Sequence, residues 1–174
     1  MRQETAAVLA SLRGVWDEEA VDELEHALQS AKRAMDDGAD DELVLAAALH
    51  DIGRSPLLAA QGRAHDRVAR EWLTPRFGAR VGWLAGAHVA AKRYLAATEP
   101  GYAGGLSDVS MTSLHAQGGA GVDPAFVNHP WWADALRLRR YDDAAKDPTA
   151  TAAATTDILA IAERLAAQGS SWKS

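Results

Sequence analysis

Leu45-Ala46-Ala47-Ala48-Leu49-His50-Asp51-Ile52-Gly53 is an apolar helical run that closes on an adjacent His-Asp pair and a glycine. A charged pair at the end of an apolar helix has to be desolvated, paired or bound to a metal, because burying a free charge is costly. Neutral imidazole and carboxylate are both ligands for first-row divalent metals. Neighbouring residues do not share a helix face. At a helix end, however, both side chains can converge on one ion, or the carboxylate can bridge two. The dipeptide alone is weak; the rest of the chain gives it weight.

Outward from this stretch, helical spacing recurs. Toward the N-terminus, residues 4–13 form a short helix with Val8, Leu9 and Leu12 on one stripe, broken by Gly14. Asp17-Glu18-Glu19 fits the first turn of a second helix, where the dipole favours acid. That helix carries Leu24, Leu28 and Ala31 in register, with His26 beside the stripe, and ends near Asp36-Asp37-Gly38. Asp40 caps the helix over 41–51 that delivers His50 and Asp51. Toward the C-terminus, helices are expected over 64–74, stopped by Pro75 and containing His65, and over about 78–94, with His88 and Lys92 four apart on one face. A glycine-rich loop covers 98–106. Ser107 caps a short helix ending at Gly118-Gly119, and Asp123-Pro124 opens another short segment. Trp131–Ala145 forms a helix with Arg139 and Asp142, and 150–167 forms the last one. Trp172-Lys173-Ser174 reads as a loose tail. There is no alternating strand pattern, repeat or linker, so the expected fold is all-α, a single helical bundle over 1–174.

The chain has 174 residues and a net charge of −6, which speaks against a nucleic-acid-binding surface. It has no cysteine, so disulfides, thiolate zinc sites and thiol nucleophiles are excluded. No apolar run approaches about 18 residues and no signal peptide is visible, so no membrane partner is expected and a cytoplasmic location is.

The candidates for chemistry are His26, His50, Asp51, His65, His88 and Asp142, drawn from five helical segments. Four histidines and two aspartates suffice for two metal ions with open positions, especially if Asp51 bridges. A nitrogen and oxygen set without thiolate suits iron, manganese or cobalt. His115 and His129 are left over and read as surface or supporting residues.

The order His, His-Asp, Asp resembles the HD-domain superfamily of metal-dependent phosphohydrolases. Longer stretches are more specific: Leu24-Glu25-His26-Ala27-Leu28-Gln29, His88-Val89-Ala90-Ala91-Lys92-Arg93-Tyr94-Leu95, Ser113-Leu114-His115-Ala116-Gln117-Gly118-Gly119 and Leu138-Arg139-Arg140-Tyr141-Asp142-Asp143-Ala144-Ala145-Lys146. Together they resemble the mixed-valent di-iron oxygenases that cleave organophosphonates, of the 2-amino-1-hydroxyethylphosphonate dioxygenase type and related to myo-inositol oxygenase. The likeness covers about residues 16–148, the expected HD-domain core.

The resemblance implies two iron ions in the mixed Fe2+/Fe3+ state, with O2 as co-substrate. His26, His50, Asp51 and Asp142 would hold one iron, and Asp51, His65 and His88 the other. It places His50, Asp51 and Lys92 nearest the chemistry and matches Lys92, Ser113, Gln117 and Arg139 to the phosphonate pocket. Fixed cations with hydroxyl and amide donors do suit a dianion. The chain departs from the family at two places. Trp16 stands where a tyrosine commonly precedes the acid, here Glu19, that could meet a substrate ammonium. Trp16 would either stack on that ammonium or plug the site. Arg54 stands where a histidine often follows the His-Asp-x-Gly motif; it could also grip phosphonate.

The implied activity is O2-dependent C–P cleavage of a small 1-hydroxyphosphonate to phosphate and a carboxylic acid, downstream of a separate C1-hydroxylating enzyme. The expected substrate is a two-carbon zwitterion. The rivals are HD-type hydrolysis of a phosphate ester by the same site, and a helical binding module with a vestigial site.

Overall fold

The computed structural model describes residues 1–16, 20–58 and 62–170, with side chains to 168. Among these residues there is no strand. The helices are α1 (Arg2–Ala10), α2 (Glu23–Asp36), α3 (Asp41–Leu49), α4 (His65–Phe77), α5 (Ala79–Thr98), α6 (Asp108–Ala116), α7 (Pro124–Val127), α8 (Trp132–Asp143) and α9 (Thr155–Ser170). Two 3-10 turns, Ile52–Arg54 and Ala103–Gly105, interrupt the connections. The all-α class expected from the sequence is what the chain forms.

The centre of the bundle is built from α3 and α5. Every residue of α3 from Leu43 to Leu49 is buried. A helix that is apolar all round belongs in a core rather than on a surface, and α3 packs against α2, α5, α8 and α9. α5 runs beside it and packs on α4 and α8. Small residues bring α4 and α5 together. A Cβ on Gly82 would lie 2.1 Å from Thr74 Oγ1, so only glycine allows this approach. The catalytic candidates therefore sit on the most heavily packed elements, which fixes their positions.

Several boundaries differ from the sequence expectation. α2 starts at Glu23, because Asp22 caps it by accepting from the Glu25 N–H at 2.9 Å. The acidic run 17–19 that was expected to open this helix lies outside the described residues, as does the expected tail at 172–174. α4 continues through Pro75 to Phe77. Pro75 gives up one backbone bond, to the Glu71 carbonyl, close to the end of the helix, and Arg76 donates to the neighbouring Trp72 carbonyl at 2.9 Å. α5 runs on to Thr98. α9 starts at Thr155 rather than 150, since Asp147 holds Thr149 in a turn through both its N–H and its hydroxyl. Asp40 and Ser107 cap α3 and α6 as expected, and Asp123 caps α7.

The end of α3 sets up the site. The helix stops at Leu49, and Asp51 has φ −101° and ψ 12°, off the helical path. This break lets two adjacent side chains converge. Gly53 follows, pressed against the backbone of His65: a Cβ there would sit 2.1 Å from the His65 carbonyl oxygen. The glycine thus sets how closely the start of α4, with its histidine, approaches Asp51.

Candidate metal centre and its cavity

Six side chains converge inside the bundle. His26 comes from α2, His50 and Asp51 from the end of α3, His65 from the first residue of α4, His88 from α5 and Asp142 from α8. His26, His50, His88, Asp51 and Asp142 are buried. The two carboxylate oxygens of Asp51 face different partners. Its Oδ2 lies 3.4 Å from His50 Nε2 and 3.9 Å from His26 Nε2. Asp142 completes that group, with Oδ1 3.3 Å from His26 Nε2 and Oδ2 3.5 Å from His50 Nε2. Asp51 Oδ1 instead lies 3.1 Å from His65 Nε2 and 3.4 Å from His88 Nε2. One carboxylate thus joins two ligand groups.

The proton inventory argues for cations between these groups. His26, His50 and His88 each use Nδ1 on a backbone carbonyl, those of Ala145, Ala47 and Ala85, at 2.9, 2.9 and 2.6 Å. A neutral imidazole donating from Nδ1 turns a bare lone pair out at Nε2, as metal-ligating histidines do. Yet His26 Nε2 lies 3.3 Å from His50 Nε2, and His88 Nε2 lies 3.0 Å from His65 Nε2. Lone pairs this close need either a shared proton or a metal ion. Ligands at about 2.1 Å from one ion stand about 3.0–3.4 Å apart for octahedral to tetrahedral angles. The spacings fit that range. Asp51 Oδ1, moreover, is buried with no hydrogen-bond donor among the described residues. Two clusters, His26-His50-Asp51 and Asp51-His65-His88, therefore meet the requirements for holding an ion.

Electrostatics points the same way. Burial opposes the ionisation of Asp51, but His50, Arg54 and His65 outweigh it and hold its carboxyl well below the usual range. Arg139 and His50 do the same for Asp142. Burial also opposes protonation of His50, and Asp51 and Asp142 overcome it to lift the pKa to about 9. His88 is pushed down, chiefly by burial. Ionised carboxylates beside a largely neutral His88 and a His50 that can give up its proton are ligands that a metal can enter among.

Beside the ligands lies a narrow cavity of about 20 Å³, walled by Arg54, Lys92, Ser113, Gln117, Arg139 and Lys146. It shares Arg54, His65, Ser113 and Gln117 with an outer cavity of about 520 Å³. Lys92 donates to Ser113 Oγ at 2.5 Å and Lys146 to Ser110 Oγ at 2.6 Å. Gln117 Oε1 is buried without a hydrogen-bond partner among the described residues. Burial, with Arg139 next, pushes the Lys92 ammonium down to about 8. Arg54 Nε sits 3.5 Å from Asp51 Oδ2 and 3.9 Å from Glu23 Oε1.

The sequence candidates fare unequally. The six ligand candidates come together, as do Lys92, Arg139, Ser113, Gln117 and Arg54 at the cavity. Trp16 is 64% exposed and does not line this cavity. Glu19 lies outside the described residues. Ser110 and Lys146 were missed as individuals. Ser110 lies three before Ser113 on one face of α6, whereas Lys146 lies beyond the end of α8, where no helical register aims it. His115 is exposed, and His129 stacks on Trp83 at 4.0 Å, so neither joins the centre.

An all-α bundle in which two His/Asp clusters share one carboxylate, next to a cavity lined by lysine and arginine, is compatible with metal binding. No family model matches the chain. Curated relatives do. Hydroxymethylphosphonate dioxygenase from Gimesia maris is 39% identical over 140 residues, 74% of this chain and 70% of the relative. The glycine-betaine-forming [1-hydroxy-2-(trimethylamino)ethyl]phosphonate dioxygenase of Leisingera caerulea is 35% identical over 138 residues, with the same coverage of 74% and 70%. The chain belongs to the HD-domain phosphonate dioxygenase family, and is an enzyme of the oxidoreductase type.

Proposed function

We propose that this chain is a di-iron dioxygenase that cleaves the C–P bond of a small 1-hydroxyphosphonate, releasing phosphate and a carboxylic acid. The observation that carries the reading is the divided carboxylate of Asp51 set directly beside a cavity lined by lysine and arginine. One ion would be held by His26, His50, Asp142 and Asp51, the other by His65, His88 and Asp51. The all-nitrogen-and-oxygen donor set suits iron. When bound, a ferrous/ferric pair supplies dioxygen activation and one-electron chemistry at carbon.

The protein's own part is to bind, orient and shield. Lys92, Arg139 and Lys146 surround the phosphonate with fixed cations, and Ser110 and Ser113 add hydroxyl donors. Gln117, whose buried Oε1 has no donor among the described residues, would accept from a hydroxyl of the bound substrate. Hydroxymethylphosphonate is the smallest substrate of this class. The overall change balances without an outside reductant: hydroxymethylphosphonate dianion and dioxygen give formic acid and hydrogen phosphate. A two-carbon zwitterion, whose nitrogen is methylated in the substrate that names the Leisingera caerulea relative, remains the alternative; of its expected contacts, Trp16 is mostly exposed and Glu19 lies outside the described residues. A separate enzyme would supply the C1-hydroxylated substrate, and the work would be cytoplasmic. Among the described residues, no helix is long and apolar enough to cross a membrane.

The test is phosphate release by the iron-loaded enzyme from hydroxymethylphosphonate, in air and without it, beside a simple phosphate monoester. Turnover of the phosphonate only in air supports the reading. Hydrolysis of the ester without oxygen, and no phosphonate turnover, replaces it with the phosphohydrolase.

A pH dependence follows from Lys92. Anion capture requires its ammonium, whose pKa is depressed to about 8, and nearby metal cations depress it further. Hence kcat/KM, which reports free-enzyme ionisations, falls as pH rises toward and through about 8. Lys92→Arg, which stays protonated, flattens that basic limb. A limb that persists unchanged in Lys92→Arg assigns it to another group.

A further inference from the structure

Arg139 is 3% exposed, so its guanidinium needs partners inside the protein. A guanidinium carries five N–H groups in a rigid fork. Three of them are committed. Nη1 donates to Oδ2 of the ligand candidate Asp142 at 2.6 Å. Nη2 donates to Asp143 Oδ1. Nε donates to the Tyr102 hydroxyl at 3.0 Å. Tyr102 in turn donates its own proton to Asp143 Oδ2 at 2.6 Å. The three residues close a ring, Arg139 to Tyr102 to Asp143 and back to Arg139. One N–H remains on each terminal nitrogen, on a residue that lines the cavity.

We infer that Tyr102 and Asp143 are positioning residues that lock the Arg139 fork in the orientation that receives the phosphonate. The inference rests on the reading of Arg139 as a phosphonate contact. The adjacent carboxylates 142 and 143 thereby divide their work: Asp142 turns to the metal ligands, and Asp143 turns to the back of the arginine. Tyr102 belongs to the connection between α5 and α6, 37 residues from Arg139 in sequence. It couples that connection to the pocket. Its ring also lies 5.4 Å from the Arg140 guanidinium, a contact that a phenylalanine would keep. Burial, aided by Asp143, raises the Tyr102 pKa, so the phenol remains a donor to Asp143 at ordinary pH.

The test compares wild type, Tyr102→Phe and Asp143→Asn, each metal-loaded. Methylphosphonate, which lacks the C1 hydroxyl, is titrated calorimetrically; metal per chain is counted; and KM and kcat are measured with hydroxymethylphosphonate. Tyr102→Phe removes both hydrogen bonds of the hydroxyl, from Arg139 Nε and to Asp143 Oδ2, and so loosens the fork; methylphosphonate affinity falls roughly tenfold. Asp143→Asn shifts it in the same direction. KM rises in step, kcat holds and the metal content is unchanged, the pattern of lost ground-state binding. Unaltered methylphosphonate affinity in Tyr102→Phe overturns the inference. So does loss of metal together with affinity, which would make the ring a support for Asp142 alone. If wild type binds methylphosphonate but turns over no hydroxyphosphonate in air, the proposed reaction fails, while the calorimetry still decides the role of the ring.

Discussion

Asp51→Ala is expected to lose both metal ions and all turnover, whereas His65→Ala keeps the ion nearer α2 and loses the other. The asymmetry comes from the way Asp51 divides its oxygens. Oδ2 faces His50 and His26, and Oδ1 faces His65 and His88. Alanine at this position removes a ligand from each group and the negative charge that offsets both cations. At His65 it removes one nitrogen from one group, and His26, His50, Asp51 and Asp142 remain. Metal per chain, measured after identical iron loading, should therefore be near zero for Asp51→Ala and about half the wild-type value for His65→Ala. Equal loss in the two variants would show that the groups do not fill independently, and would remove the division on which the assignment rests.

Lys92→Ala should leave both ions in place and weaken phosphonate binding by roughly ten- to a hundredfold, the cost of about 1.5–3 kcal/mol for a lost charge-assisted contact. Lys92 is one helical turn beyond His88 on α5, so it reaches the cavity without touching the ligand set's own backbone supports. Removing it also frees Ser113 Oγ, its 2.5 Å partner. Arg139→Ala is a harsher change. It strips the paired cation from buried Asp142 and half-buried Asp143. That variant is expected to lose metal and stability along with affinity. Titration with methylphosphonate, alongside metal counts, separates the two. If Lys92→Ala binds as well as wild type, the cationic cavity is not the anion site.

Much of this arrangement is legible in the sequence because it depends on local spacing. The apolar run ending in His50-Asp51 reads as a buried helix with its ligands at the tip, and α3 is buried throughout. His88 and Lys92, and Arg139 and Asp142, sit a helical turn apart and so share a face. Helix ends are less legible, because they depend on which of several acids acts as cap. Asp22 caps α2 although the acidic run at 17–19 precedes it. Pro75 does not stop α4, because near the helix end it removes a single backbone bond. The ring around Arg139 is the hardest part to foresee. Tyr102 comes from a glycine-rich connection with no helical register to aim it, and only the tertiary fold brings it to α8. Lys146 lies four after Asp142 but past the end of α8, so no helical register points it to the cavity.

The most direct measurement is the ratio of dioxygen consumed to phosphate released by the iron-loaded enzyme acting on hydroxymethylphosphonate. The account predicts one dioxygen consumed for each phosphate, with formate as the other product and no phosphate in the absence of air. Phosphate released without oxygen uptake, or oxygen uptake without phosphate, would contradict it.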